Sequence, residues 1–308
     1  MKKIVITGAT GFIGQHLIKK LCKELDGIFA VGRTWGKRNA DFSDNVHLIT
    51  LDLSNLHHLP TIIQDRDIDT FIHLAWAGVS GNDKKDYRIQ LSNCLLACEA
   101  VECAKQLGCK RFVFVGSVDE YEFNAFPDQP FSNSSHSKIY GVSKLAAETI
   151  GKILAKENNI EYVSALLALT YGEGNATNIL PNAIIRNSLV SLPMKLIKGE
   201  KYFDLIYIQE AIDGICAIAE KGQDKESYYV GHIEIDKFAE IVRKICNVLD
   251  SKIELQFGAY NDIDTPLDYS RIDREKLLRD TGYECNVPLE EGIRNTKLWI
   301  MDMERSSK

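Results

Sequence analysis

The segment "VITGATGFIGQHL" limits what this 308-residue chain can fold into more than any other stretch. A β-branched run, "KIVIT" (3–7), leads into Gly8, Gly11 and Gly14 in a G-x-x-G-x-x-G array, and a helical pattern follows at once. Glycine permits backbone angles closed to other residues and leaves no Cβ between a turn and what packs on it. Phe12 and Ile13 then occupy the first helical positions, where backbone N–H groups lack intrahelical partners and the helix dipole is positive. A strand–turn–helix of this kind cradles the pyrophosphate of a dinucleotide, whereas a bare glycine pattern would be only a loop. Gly8, Gly11, Phe12, Ile13 and Gly14 are the resulting cofactor-binding candidates.

The rest of the chain repeats the rhythm. Strand candidates are 3–7, 28–31, 46–51, 70–75, 111–115 and 161–167; helical patterns fill 12–25, 56–65, 88–107 and 139–158. Near-continuous apolar strands separated by helices imply a parallel sheet covered on both faces. The expected class is α/β, a Rossmann-like doubly wound sheet with a smaller C-terminal α/β substrate-binding region. The expected division is a dinucleotide-binding unit over 1–170, to which 203–231 returns, and a substrate region over 171–202 and 232–308. "FDLIYI" (203–208) is expected back in the main sheet, with helices near 209–220 and 235–249.

Composition narrows the partners. The chain is 45% hydrophobic and 26% charged, with a formal net charge of −6. That balance argues against a broad nucleic-acid or anionic-membrane surface. No apolar run approaches the ~18 residues of a membrane span, and the N-terminus reads as a strand rather than a signal peptide. A cytoplasmic protein is expected. Eight cysteines show no CxxC pairing, so buried free thiols are expected and no metal site.

The second strand points to one form of the cofactor. An acid at its end would bind the ribose 2′-hydroxyl of NAD. The sequence there is "AVGRTWGKR", with Arg33 at the acid's place and Lys37 and Arg38 after it. A guanidinium suits a 2′-phosphate, so NADP is expected ahead of NAD. The alternative is a solvated basic loop.

"KIYGVSKLAAE" (138–148) sets Tyr140 four residues before Lys144, on one helix face. A cation beside a phenol favours the phenolate, which makes tyrosine a general acid or base. Alternatively, Tyr140 packs and Lys144 is a surface charge.

The ordered set decides what the pair means. "TGATGFIG", "LDL" with Asp52, "HLAWAG", "FVGSVDEY", "YGVSK", "YGEG" (171–174) and "FDLIYIQEA" (203–211) run nearly end to end. Together they resemble the extended short-chain dehydrogenases/reductases, the nucleotide-sugar epimerase/dehydratase group. The resemblance implies an NAD(P)-dependent enzyme with Ser117, Tyr140 and Lys144 as catalytic residues. It places Asp52 and Leu53 beside the adenine, Leu74 and Ala75 along the cofactor, and Tyr140 and Lys144 against the nicotinamide end, with Lys144 lowering the Tyr140 pKa. Ser80 and Ser117 are expected on the substrate. Asp52 could instead cap the helix beginning near Ser54, and Ser117 could be a turn residue after Gly116.

Two departures shape the expected activity. Dehydratases of this group read Thr-Asp-Glu in the loop after the fifth strand. Here the loop is "GSVDEYEF", with Val118 at the Asp position, which disfavours a dehydratase. Relatives also carry Arg and Asn where this chain has Leu166 and Leu169, and often Pro where it has Glu173. The substrate diphosphate is then expected on Asn178, Lys201 or nearby backbone. The leading expectation is an NADP-dependent reductase of a nucleotide-linked 4-keto-6-deoxyhexose. The alternatives are an NAD-dependent nucleotide-sugar 4-epimerase and a non-catalytic NADP-binding regulator. A homodimer is expected, because 89–107 and 140–155 are apolar on more than the one face a sheet covers and relatives pair these two helices across a dimer axis.

Overall fold

The structure is a computed structural model that describes residues 1–36, 42–124, 138–260 and 267–306. Lys37 and Arg38 lie outside the described residues. In chain order the elements are β1 (Lys3–Thr7), α1 (Phe12–Leu21), β2 (Gly27–Gly32), β3 (Val46–Thr50), α2 (Leu59–Ile62), β4 (Thr70–His73), α3 (Tyr87–Gln106), β5 (Arg111–Ser117) and α4 (Tyr121–Asn124). Next come α5 (Ile139–Glu157), β6 (Glu161–Leu167), β7 (Leu169–Tyr171), α6 (Leu180–Leu189), β8 (Met194–Lys195), β9 (Tyr202–Phe203), β10 (Leu205–Tyr207) and α7 (Ile208–Lys221). The chain closes with β11 (Ser227–Val230), β12 (Asp236–Lys237), α8 (Phe238–Val248), β13 (Leu255–Gln256), α9 (Lys276–Thr281) and α10 (Leu289–Ser306).

Seven strands form one parallel sheet in the order β11-β6-β5-β4-β1-β2-β3. This is the doubly wound α/β class expected above. The pleat divides its side chains between two cores. Ile4, Ile6, Ile72, Val113 and Val163 face one way, toward Leu17 and Ile18 of α1 and Ile212 and Ile215 of α7. Val5, Phe71, Phe112, Phe114 and Tyr162 face the other, toward Ala97, Ala100 and Ala104 of α3 and Ala147 of α5. The small residues let α3 and α5 lie close to a sheet face crowded with aromatic rings. Each fully buried Leu, Ile or Phe contributes about 1.5–3 kcal/mol.

The order reverses between β1 and β4, because the chain runs outward through β2 and β3 and then returns to β1's other side. Ligands of such sheets bind at the carboxyl ends of strands at that reversal. One expected element went elsewhere. Strand 205–207 pairs with β7 in a separate two-stranded ladder, while 227–230 is the segment that joins the main sheet. All three residues of β10 are buried, so an apolar run alone could not tell which sheet they enter. Among the described residues no helix is long and apolar enough to cross a membrane.

Candidate active site

The glycine turn sits at the reversal. Gly8 has φ +73, and a Cβ there would lie 2.8 Å from the Ala75 nitrogen. A Cβ on Gly14 would lie 2.4 Å from the Gly8 carbonyl oxygen. Any side chain at either position would push the turn off the 74–75 segment or the helix off the turn. Gly11 is the N-cap of α1 and supplies no side-chain cap. Half-buried Phe12 and Ile13 follow it, so the first N–H groups of α1 face the turn. Half-buried Leu74 and Ala75 border it from β4. This cradle fits a dinucleotide pyrophosphate.

Arg33 is exposed immediately after β2. Asp52 is exposed after β3, and its Oδ1 accepts from the Ser54 nitrogen at 2.9 Å and the Ser54 hydroxyl at 2.7 Å. The capping role of Asp52 is therefore present in the fold. Those two bonds hold its carboxyl below the usual range, and Arg33 adds a smaller attraction. Leu53 lies beside it, half-buried.

Ser117, Tyr140 and Lys144 come together at the carboxyl end of β5. Ser117 ends the strand beside Tyr140 and acts to lower the pKa of its phenol. Its Oγ also accepts from the Asp119 nitrogen at 3.2 Å, and Glu120 Oε1 accepts from the Ser117 nitrogen at 2.7 Å. Ser117 is thus both a helix cap and a neighbour of the phenol. Tyr140 is 8% exposed and Lys144 is 3% exposed, so neither is a surface residue. Lys144 Nζ donates to the Val115 carbonyl at 2.7 Å and lies 4.0 Å from the Trp76 ring centroid.

The electrostatics differ from the expectation. The Tyr140 pKa is driven up, not down: burial contributes most, Asp119 and Glu120 add to it, and Ser117 opposes it. Burial lowers Lys144, with Glu120 opposing. With its ammonium turned to Val115 and Trp76, Lys144 does not counter the burial of the phenol. Glu120 is fully buried and faces the Glu148 carboxylate; burial and that neighbour push its pKa well up.

Several residues of the site carried no sequence signal. Lys84 Nζ lies 4.6 Å from the Tyr140 ring centroid and pairs with Asp119 at 2.7 Å. Trp76 meets Tyr140 edge-on at 6.2 Å. Buried Gln90 and Asn93 of α3 hold the loop that carries both. His73, stacked near Phe112 and Phe114, bonds the Thr7 hydroxyl at 2.8 Å, and burial lowers its pKa to about 3.

The proposed substrate residues are scattered. Ser80 is exposed on the Lys84 loop. Exposed Asn178 precedes α6 and accepts from Arg186 at 3.3 Å. Lys201 precedes β9, and its carbonyl accepts from the Phe238 nitrogen at 2.8 Å. Leu166 is 1% exposed and packs against Gly116, so it takes a place in the core. Glu173 accepts from the Tyr207 hydroxyl at 2.7 Å, and its carbonyl is bonded to His16 of α1 at 2.8 Å. That ties the "YGEG" loop to the helix of the glycine turn.

The profile of the NAD dependent epimerase/dehydratase family matches residues 4–231. The chain belongs to this family. It is an enzyme of the extended short-chain dehydrogenase/reductase type, as the ordered motifs implied. It is 26% identical to dTDP-4-dehydro-6-deoxyglucose reductase of Escherichia coli, over 94% of this chain and 95% of that one. It is 24% identical to CDP-abequose synthase of Salmonella typhimurium, over 94% and 95% of the two chains. The structure superimposes on dTDP-glucose 4,6-dehydratase from Bacillus anthracis in complex with NAD, with a TM-score of 0.78, 19% identity and coverage of 99% and 98%. A family member with this glycine cradle takes a nicotinamide dinucleotide.

Proposed function

We propose that the chain is an NADP-dependent reductase of a nucleotide-linked 4-keto-6-deoxyhexose. The observation that carries this reading is the state of the acidic pair after β5. Asp119 is bound to Lys84, and Glu120 is buried beneath Ser117. Neither stands free as the extra acid or base that water elimination requires. One of the two relatives named above is by its name a reductase of a nucleotide-linked 4-keto-6-deoxyhexose, and the other carries a nucleotide-linked sugar in its name.

The nicotinamide, when bound, supplies the hydride. The chain does the rest. Gly8, Gly11, Phe12, Ile13 and Gly14 hold the pyrophosphate, Asp52 and Leu53 the adenine, and Leu74 and Ala75 the path between. Arg33 takes the 2′-phosphate. Ser117 and Tyr140 grip the carbonyl oxygen, and Tyr140 gives it a proton as the alcohol forms. A phenol kept protonated by burial suits a donor. Lys144 holds the ribose. Ser80, Asn178 and Lys201 meet the substrate. The dinucleotide unit is 1–170 with 203–231, and the substrate region is 171–202 with 232–308.

A second reading is an NAD-dependent 4-epimerase, which the 24% identity to UDP-glucose 4-epimerase of Vibrio cholerae over 96% of this chain supports. A non-catalytic regulator is disfavoured by the assembled Ser117, Tyr140 and Lys144. The test is NADPH against NADH with a panel of nucleotide-linked 4-keto-6-deoxyhexoses, followed by product identification. NADPH consumption with a new 4-hydroxyl is expected. Interconversion of 4-hydroxyl epimers without net cofactor use would overturn the reductase in favour of the epimerase.

A further inference from the structure

Lys84 reaches Tyr140 from a loop that is held with unusual care. Gln90 is fully buried; its Nε2 donates to the carbonyls of Gly78 at 2.8 Å and Asp83 at 3.0 Å, and its Oε1 accepts from the Trp76 nitrogen at 2.8 Å. Asn93 bonds both backbone groups of Ala77 at 2.9 Å. Gly78 has φ +65, and a Cβ there would lie 2.8 Å from the Asp83 carbonyl oxygen. The loop therefore folds tightly on itself, and Lys84 is the next residue along. Its ammonium lies over the Tyr140 ring face, within the range of a cation–π contact, and on Asp119.

The charges around the phenol come from three elements. The turn after β5 brings Asp119 and Glu120; Asp119 also faces Tyr269. Helix α5 brings Lys144, which His73 of β4 also faces. Lys138, at the start of α5, is turned to Glu122 at 3.8 Å. The loop before α3 brings Lys84. Asp119 and Glu120 are the carboxyls that oppose the phenolate, and Asp119 is the one that Lys84 pairs with. Only Lys84 lies on both Asp119 and the ring among the described residues.

We propose that Lys84 is a positioning residue for Tyr140, and that the Lys84–Asp119 ion pair is a cover that partly offsets the action of the Asp119 carboxylate on the phenol. The proposal rests on the acid–base reading of Tyr140. The reaction itself is unchanged: the pair sets the pH at which Tyr140 works. A pair that only ties the loop to the turn would affect stability and leave that pH alone.

The test compares the wild type with Lys84→Met, Asp119→Asn, the double variant and Lys84→Arg, in the alcohol-oxidation direction. There Tyr140 must lose its proton, so the rate rises with pH through its pKa. An uncovered Asp119 should raise that pKa by about one unit, a tenfold loss of rate below it. Lys84→Met should therefore be about tenfold slower at neutral pH and approach the wild type at high pH. Asp119→Asn should be equal or faster at neutral pH, and the double variant should return near the wild type. Lys84→Arg should restore the wild-type profile. An equal loss at every pH, or a double variant as slow as Lys84→Met, would overturn the proposal. If the wild type turns over no sugar, the function reading fails instead. Ring-carbon NMR of labelled tyrosine, with the Tyr140 signal assigned through Tyr140→Phe, then follows the phenol directly. The same ordering of titration midpoints is required, and identical midpoints would refute the cover.

Discussion

Tyr140 is surrounded by groups that favour opposite states. Burial and acidic neighbours keep its proton on; Ser117 works the other way. Replacing Tyr140 with Phe removes one hydroxyl and leaves the ring against Trp76. Losing the hydroxyl should cost only about 1 kcal/mol of stability. Turnover should fall by roughly 10²–10⁴-fold, the usual worth of a positioned acid. Melting temperature and initial rate on one sample separate the two effects, and a near-normal rate would leave Tyr140 a packing residue. Arg33 offers a second test. Arg33→Asp removes the partner of a 2′-phosphate and supplies one for a 2′-hydroxyl, so binding should shift from NADPH toward NADH. Equal binding of both by the wild type, measured by titration, would sink the NADP assignment. Tyr140 and Lys144 were legible because a helix fixes what four residues' separation means. Lys84 was not: 56 positions of chain separate it from Tyr140, and only the folded loop brings them together.

Between elements, a buried polar tie joins the residue before β10, the first turn of α7 and the loop after β11. Buried Asp204 accepts from the Tyr229 hydroxyl, the His232 nitrogen at 2.8 Å and His232 Nδ1 at 2.8 Å. Glu210, in the first turn of α7, lies 3.4 Å from His232 Nε2. It also accepts from the Tyr207 nitrogen at 2.9 Å and the Val287 nitrogen at 2.8 Å. Burial alone would lower the His232 pKa, but bonds to Asp204 and Glu210 raise it from 6.5 to about 10. The folded state thus binds the proton more tightly than the unfolded one. This stabilisation is fully present below pH 6.5 and is lost as the pH climbs toward 10. His232→Gln should flatten the fall in melting temperature across that window. It should also cost about 3 kcal/mol at neutral pH, because two buried carboxylates lose their cation. An unchanged pH dependence of melting would count against the assignment. The strand blocks of the sheet were legible, since 3–7 and 161–167 are apolar runs bounded by polar residues and match β1 and β6 end to end. The pairing of 205–207 with β7 was not, because a three-residue buried strand carries no mark of its neighbour.

At the scale of the whole molecule, α3 and α5 present more apolar surface than one chain covers. Leu91 is 58% exposed and Leu95 61%, one helical turn apart on α3. On α5, Val142, Ile150 and Ile153 are 44%, 45% and 55% exposed. Their spacing follows one helix face, opposite the buried Ala147, Gly151 and Ala155 that meet the sheet. Isolated exposed apolar residues need no explanation, but a stripe across two packed helices calls for a cover. A second copy of the chain would place the same stripe against itself about a twofold axis, and an interface of this kind is self-complementary. Tyr140 and Lys144 sit on the inner side of the same α5, so the dimer would also brace the catalytic helix. A homodimer is therefore expected. Light scattering should return twice the chain mass at micromolar concentration. Leu95→Glu with Ile153→Glu should give a monomer, since each copy would bring like charges to the axis. That monomer should also lose turnover if the partner steadies α5. A wild type that remains monomeric in concentrated solution would refute the dimer and leave the stripe bare.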